Sequence, residues 1–222
     1  VKLSGPEYFG SGEAIAKEGT TVVLEQPYSQ RVGGYTEVMK PFIDFVIAAV
    51  LLLITSPVML VAAIMIKLDS KGSVIFRQER YGKNGVKFNI YKFRTMRTDA
   101  PKYSASPTTS NDPRITRLGR LLRKTSLDEL PQLLNIIKGD MSFVGPRPEQ
   151  KRIVEECYTD LERRRFLVKP GITGLWQVSD VRKDPIHHNL QYDFHYISNV
   201  SILMDIKILF KTVIVMIKSN TF

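Results

Sequence analysis

The chain has 222 residues, enough for one ordinary domain with an appendage. Its 32 Lys and Arg against 22 Asp and Glu leave a net charge of +10, which points to polyanionic partners: nucleic acid, anionic lipid headgroups or phosphorylated small molecules. The single Cys157 excludes an internal disulfide and a zinc site built from thiolates.

In chain order, residues 1–37 are Gly-rich with one short apolar run, "TTVVLEQ". They read as an edge strand with loops, an N-terminal extension and the tail of something longer. The charged-then-apolar plan of a signal peptide is missing, so export is not expected. From Phe45 to Ile66, within an apolar segment taken as 42–66, 22 residues carry no charge. As a helix this stretch would be about 33 Å long, enough for a bilayer core of about 30 Å. Ser56-Pro57 lies near its centre, where proline removes a backbone hydrogen bond and predicts a kink. Arg31 and Lys40 precede the segment and Lys67, Lys71, Arg77 and Arg80 follow it, so neither flank is marked as the outside. The residues leave open a spanning helix and a re-entrant one that breaks at Ser56-Pro57, with the Ser56 hydroxyl serving a freed carbonyl. A buried soluble helix ranks third.

"SVIFRQERYGKNGVKFNIYKFRTM" predicts a β-hairpin whose turn, Lys83-Asn84-Gly85, supplies positive φ. Lys92, Arg94 and Arg97 close it, and residues 99–113, rich in Pro, Ser, Thr and Asn, predict a connecting loop. Residues 114–124 repeat Arg at every third position, a basic helical stripe beside Ile115, Leu118 and Leu122. "LPQLLNIIKGD" predicts a helix ended by Gly139, and residues 150–168 suit another. "SILMDIKILFKTVIVMIKS" has the pattern of an amphipathic interfacial helix, too interrupted by lysines to span. His187, His188 and His195 lack metal-site spacing and read as surface residues, while Asp193 and Asp205 read as caps or tethers of helices.

The stretch "RKTSLDELPQL" ends the basic run in two adjacent acids, Asp128 and Glu129. Asp128 is an N-cap in one register; in the other Ser126 is the cap and Glu129 its capping-box partner, and both stay open. In either, the acids lie at a helix N-terminus facing Arg123, which favours ionised Asp128. An ionised Asp beside cations can attack phosphorus and hold the phosphoryl group, or ligate Mg²⁺ bridging phosphates. Downstream, "GDMSFVGPRPE" holds Arg147 between Pro146 and Pro148, a stiff backbone suited to a guanidinium that receives phosphate. "KPGITGLWQV" adds a tight glycine loop with the only Trp, which approaches a planar base or sugar, or packs.

Together, "TSLDELPQLLNIIKGDMSFVGPRP", "KPGITGLWQV", "FNIYKFRTM" and the apolar segment with Ser56-Pro57 resemble the bacterial sugar transferases, monotopic polyprenyl-phosphate phosphoglycosyl transferases, over about residues 38–218. The resemblance implies transfer of a sugar-1-phosphate from a UDP-sugar to undecaprenyl phosphate with release of UMP, in exopolysaccharide, capsule or O-antigen assembly. It implies Mg²⁺ on Asp128, and Asp128 as a nucleophile that carries the phosphosugar, with Glu129 as its partner. Arg123, Arg147, Lys92, Arg94, Lys169 and Gln177 become phosphate or substrate contacts. The expected fold is α/β, mainly helical: a re-entrant helix-break-helix, amphipathic interfacial helices and a small hairpin around a site on the cytoplasmic face of the inner membrane. Residues 38–222 would form this domain, with membrane lipid as a partner, no nucleic acid, and a homodimer left open. Lys169 departs from the family's usual Arg, and Asp180-Val181-Arg182 from its Gly-Arg turn; "GLWQV" resembles the hexose-1-phosphate branch.

Two rivals remain. A membrane-anchored basic adaptor for anionic lipid or nucleic acid would need no Asp128-Glu129 pair, and no nucleic-acid motif is visible. A metal-dependent phospholipid hydrolase would use the same acids to direct water.

Overall fold

A computed structural model describes residues 34–101, 107, 109 and 111–218. The expected N-terminal edge strand, and much of the 99–113 loop, lie outside the described residues. The fold is mainly helical with two small sheets.

A π-helical turn, Tyr35–Met39, leads into α1, Lys40–Asp69, 30 residues and about 45 Å if straight. The break expected at Ser56-Pro57 takes another form: the helix continues through Pro57. Pro57 offers no N–H to the carbonyl of Leu53, and Ser56 Oγ donates to that oxygen instead, at 2.8 Å. Thr55 Oγ1 likewise donates to Leu51 O at 2.7 Å. Both are back-bonds of the kind that let a helix bend. One face of α1 is buried, at Asp44, Ala48, Ala62 and Ile66, and the rest presents large apolar side chains such as Phe42, Leu53, Leu60 and Leu68. Such an extent of exposed apolar surface marks a membrane-associating chain.

The hairpin forms as expected: β1, Ile75–Tyr81, pairs antiparallel with β2, Lys87–Phe93, and the turn has Asn84 at φ 57° and Gly85 at φ 73°. It packs along α1, with Phe88 and Ile90 beside Ala48 and Leu52, and Phe93 beside Ala62 and Ile66. The basic stripe becomes α2, Arg117–Lys124, capped by the Thr116 side chain, which accepts from Gly119 N. Arg114 falls outside it and pairs with Asp112 at 2.6 Å. Leu118 and Leu122 face the core. A 3₁₀ turn, Leu127–Gln132, then runs into α3, Leu133–Ile137.

A two-residue parallel bridge joins β3, Ser142–Val144, to β4, Gly171–Thr173, laying "GPRP" beside "KPGITG". The single helix expected over 150–168 is divided into α4, Lys151–Cys157, α5, Asp160–Arg163, and a 3₁₀ turn, Arg164–Leu167. Thr159 and Glu162 form a capping box that starts α5 afresh. Trp176 packs with Ile186, Leu190 and Phe194 in the largest core cluster, which decides for packing over stacking on a substrate. After α6, Gln191–Asn199, the amphipathic segment forms α7, Ile202–Lys218. Its first turn carries Asp205, which accepts from Tyr35 Oη and Lys40 Nζ, both at 2.6 Å, and from Tyr196 Oη at 2.8 Å. Asp205 is a tether, and it holds α7 to the beginning of α1.

Arg94 holds the other end of α1. It is 7% exposed, and its guanidinium donates to Ser70 O at 2.7 Å, Lys71 O at 2.8 Å, Ser70 Oγ at 2.9 Å and Ile66 O at 3.3 Å. Ile66 O also accepts from Ser70 N at 3.2 Å, whereas the carbonyls of Ser70 and Lys71 lie where α1 ends and its ladder runs out. Arg94→Met should lower stability by about 3 kcal/mol, read as a fall in the thermal unfolding midpoint in detergent. Arg94→Lys should not restore it, because an ammonium cannot reproduce the planar fork; an unchanged midpoint in both would show that the carbonyls find other partners.

Candidate active site

The two acids lie in the first turn of the 3₁₀ segment, and neither expected cap geometry occurs. Ser126 precedes the turn at φ 55° and makes no side-chain cap, while Glu129 N donates to Ser126 O at 3.2 Å. A non-glycine residue held at positive φ is strained, and here the strain stands two residues before Asp128. Pro131 sits inside the turn, where a 3₁₀ geometry tolerates it before α3 begins.

Glu129 turns to β2 instead of to a cap. Lys92 Nζ donates to Glu129 Oε1 at 2.5 Å, with both side chains partly exposed. Burial works against the charge on Glu129, but Lys92, Arg147 and hydrogen bonds from Lys92 and Gln132 overcome it and hold the carboxyl below its ordinary range. Asp128 goes the other way. It is 9% exposed, and burial pushes its carboxyl up to about 6, with Glu129 adding to the rise while Lys92 and Arg123 oppose it. Two neighbouring acids thus have opposite tendencies, one fixed as an anion and one titrating near neutrality.

Arg123 reaches the pair from α2, its Nε donating to Thr95 Oγ1 at 2.9 Å. That bond depends on a close approach: a Cβ on Gly119 would fall 2.1 Å from the carbonyl oxygen of Thr95. Arg147 lies close enough to act on Glu129, and its peptide is fixed from behind. Arg165 Nη2 donates to Arg147 O at 2.6 Å and stands 2.7 Å from Asp193 Oδ2, and Arg165 Nη1 donates to Tyr158 Oη at 2.6 Å. Arg165 and Asp193 are almost fully buried, and burial raises Asp193 to about 6 although Arg165 opposes the shift.

The structure therefore brings together Asp128, Glu129, Lys92, Arg123 and Arg147. Arg94 points its donors at the end of α1. Lys169 lines a cavity of about 260 Å³ at the beginning of α1, with Lys40, Asp44, Lys83 and Tyr196. Gln177 folds back on its own loop, Nε2 donating to Ile172 O at 3.2 Å. The supporting residues Thr95, Gln132 and Arg165 were not singled out by the sequence. Their roles come from contacts across elements, which no local motif displays.

For a metal, Asp128 and Glu129 are oxygen donors, and no side chain among the described residues donates a hydrogen bond to Asp128. No group of three ligating side chains occurs among the described residues. This donor set fits Mg²⁺, which commonly takes one or two carboxylates and completes its shell with water and substrate phosphate.

Comparison with known proteins gives the chain's family. The family model described as bacterial sugar transferase matches residues 35–219. A UDP-N-acetylgalactosamine-undecaprenyl-phosphate N-acetylgalactosaminephosphotransferase of Aeromonas hydrophila is 40% identical over 180 residues, 79% of this chain and 43% of that protein. A UDP-glucose:undecaprenyl-phosphate glucose-1-phosphate transferase of Escherichia coli (strain K12) is 41% identical over 197 residues, 84% of this chain and 42% of that protein. The exopolysaccharide production protein PSS of Rhizobium leguminosarum bv. phaseoli is 41% identical over 189 residues, 80% of this chain and 94% of its own length. The chain thus spans less than half the length of the first two relatives and nearly all of the third. With a family match across most of its length and these relatives at about 40% identity, the chain belongs to the bacterial sugar transferase family.

Proposed function

We propose that the protein transfers a sugar-1-phosphate from a UDP-sugar to undecaprenyl phosphate at the cytoplasmic face of the inner membrane. The observation that carries this reading is the pair of buried Asp128 and partly exposed Glu129, faced by Lys92, Arg123 and Arg147. Two relatives bear names with this reaction class but different sugars, and what those names share on the donor side is the UDP-sugar.

In the first half-reaction a carboxylate oxygen of Asp128 attacks the β-phosphorus of the donor. The bond from that phosphorus to the oxygen bridging the α-phosphate breaks, and UMP leaves with the electron pair. In the second, a phosphate oxygen of the lipid attacks the same phosphorus, and Asp128 leaves as a carboxylate. Arg123 and Arg147 orient the phosphates and balance their charge. Glu129, fixed by Lys92, keeps that ammonium beside the reacting centre. Asp128, with Glu129 next to it, would hold Mg²⁺, which supplies charge neutralisation across the diphosphate when bound.

The membrane arrangement is part of the reading. Both ends of α1 are attached to one folded body, through Asp205 at the beginning and Arg94 at the end. A straight spanning helix would carry one of these polar attachments across the bilayer, whereas a helix bent at Ser56-Pro57 returns both to one side.

UMP release from UDP-sugars with Mg²⁺ and undecaprenyl phosphate in detergent tests the reaction. Asp128→Asn should reduce it by about 10³-fold or more with an unchanged unfolding midpoint. A near-normal rate would remove Asp128 from the mechanism, and free sugar phosphate as product would favour the hydrolase. Because the nucleophile must be ionised and burial raises it to about 6, kcat/KM should be flat above pH 7 and fall as pH drops through about 6. A profile flat down to pH 5 would contradict that role. For topology, Gly34→Cys and Lys71→Cys in a Cys157→Ser background should react with an impermeant maleimide from the same side of sealed vesicles. Labelling from opposite sides would establish a spanning helix.

A further inference from the structure

The guanidiniums of Arg94 and Arg165 are buried and that of Arg80 is largely so, and they are compensated unequally. Arg94 meets three carbonyls and a hydroxyl. Arg165 meets the carboxylate of Asp193, the Tyr158 hydroxyl and the carbonyl of Arg147. Arg80, with 13% of its side chain exposed, donates among the described residues only to Gln78 Oε1 at 2.5 Å and stands 4.0 Å from Glu149 Oε1. Among the described residues its Nε is buried with no hydrogen-bond partner, as are those of Arg94 and Arg165, but unlike theirs its terminal nitrogens meet neither a backbone carbonyl nor a close carboxylate. Burial, with Arg147 nearby, pushes Arg80 down to about 10, although Glu149 opposes the shift. A desolvated cation with one distant carboxylate and a like charge beside it is unfavourable in isolation, and an anion is what it lacks.

The hairpin places this cation in line with the carboxylate pair. Directly opposed residues of an antiparallel pair share a face, so Phe76 with Lys92, Gln78 with Ile90, and Arg80 with Phe88 all lie on one side. Lys92 on that face meets Glu129, and Arg80 lies on the neighbouring strand opposite Phe88, four residues further along, about 14 Å away. An isolated antiparallel bridge between Arg80 and Gln150 draws the segment after Arg147 against the strand. Arg147 acts on Glu129 at one end of this row and on Arg80 at the other. The row Lys92, Arg147, Arg80 is longer than one phosphate needs. Its far end is polar, with Gln78, Glu149 and Gln150, and a carboxylate beside Arg80 suits a ribose hydroxyl as donor and not an acyl chain.

The geometry points to Arg80 as a substrate-binding residue that, with Arg147, holds the phosphate of the nucleoside monophosphate displaced from the β-phosphorus by Asp128. This assignment rests on the transfer reaction proposed above and adds a residue for the departing half of the donor. The shared chemistry is a phosphate monoester, which the lipid acceptor also carries, so the experiment separates the two.

UMP affinity is measured by calorimetry, and donor and undecaprenyl-phosphate KM by turnover, for wild type, Arg80→Met and Arg80→Lys. Arg80→Met should weaken UMP and raise the donor KM by about 10- to 100-fold, as loss of a charged hydrogen-bonding partner does, leaving the lipid KM unmoved. Arg80→Lys should recover part of the loss. If Arg80→Met does not fold, Arg80→Lys decides: weakened UMP at an unchanged unfolding midpoint supports the assignment, and unchanged UMP affinity overturns it. A shift in the lipid KM without one in the donor KM overturns it in favour of the acceptor. Wild type that turns over donor without measurable UMP binding overturns this assignment alone, whereas wild type silent with every UDP-sugar overturns the transfer reaction and this assignment with it.

Discussion

A helix leaves its last carbonyls without partners, and in α1 those carbonyls fall where an apolar, exposed helix gives way to a charged body. Arg94, just past the end of β2, supplies donors to the carbonyls of Ser70 and Lys71 where α1 ends, and to Ile66 O in its last turn. Two residues earlier on the same strand, Lys92 binds Glu129. Because the pleat sends alternate side chains the same way, both cations serve at one strand end, one for the helix and one for the acids. The position of the carboxylate pair relative to the membrane helix is therefore set over a single dipeptide step. Asp205 completes the frame by tying the other end of α1 to α7, whose exposed Leu203, Phe210 and Val213 add a second apolar surface.

What the sequence disclosed follows the range over which each signal acts. The Asn84-Gly85 turn, the apolar run of α1 and the amphipathic pattern of α7 are local, and all three stand in the structure. The Ser56 hydroxyl serving the carbonyl freed by Pro57 is local too, and was legible for the same reason. The split of residues 150–168 was hidden because its apolar spacing suits one helix, and only the Thr159-Glu162 box marks a new start.

The candidate site was legible in the residues proposed to react and opaque in its supports. Asp128, Glu129 and Arg147 stand in short motifs, but the use of each cation depends on what lies across the fold. Arg94 and Lys92 share the motif "KFR", yet one faces carbonyls and the other a carboxylate. Arg165 and Asp193 are 28 positions apart in sequence and meet only because α6 packs on the 3₁₀ turn after α5. Charge alone could not separate these fates, since burial and geometry, not type, decide what a guanidinium does.

The same contrast bears on which of two adjacent acids reacts. Glu129 is an anion already matched by Lys92 and Arg147, so joining it to a phosphoryl group would take from the Lys92 ammonium the carboxylate it is paired with. Asp128 is buried with cations near it but no side-chain donor on it among the described residues, and its raised affinity for a proton is also a raised basicity toward other electrophiles. Converting its carboxylate to an acyl phosphate moves negative charge from the buried carboxyl outward, toward Arg123 and Arg147. The desolvation that disfavours ionised Asp128 in the fold thus favours its covalent state in the proposed reaction. A surface Asp among the same cations would lose that advantage, because water would stabilise its charge before the donor arrived.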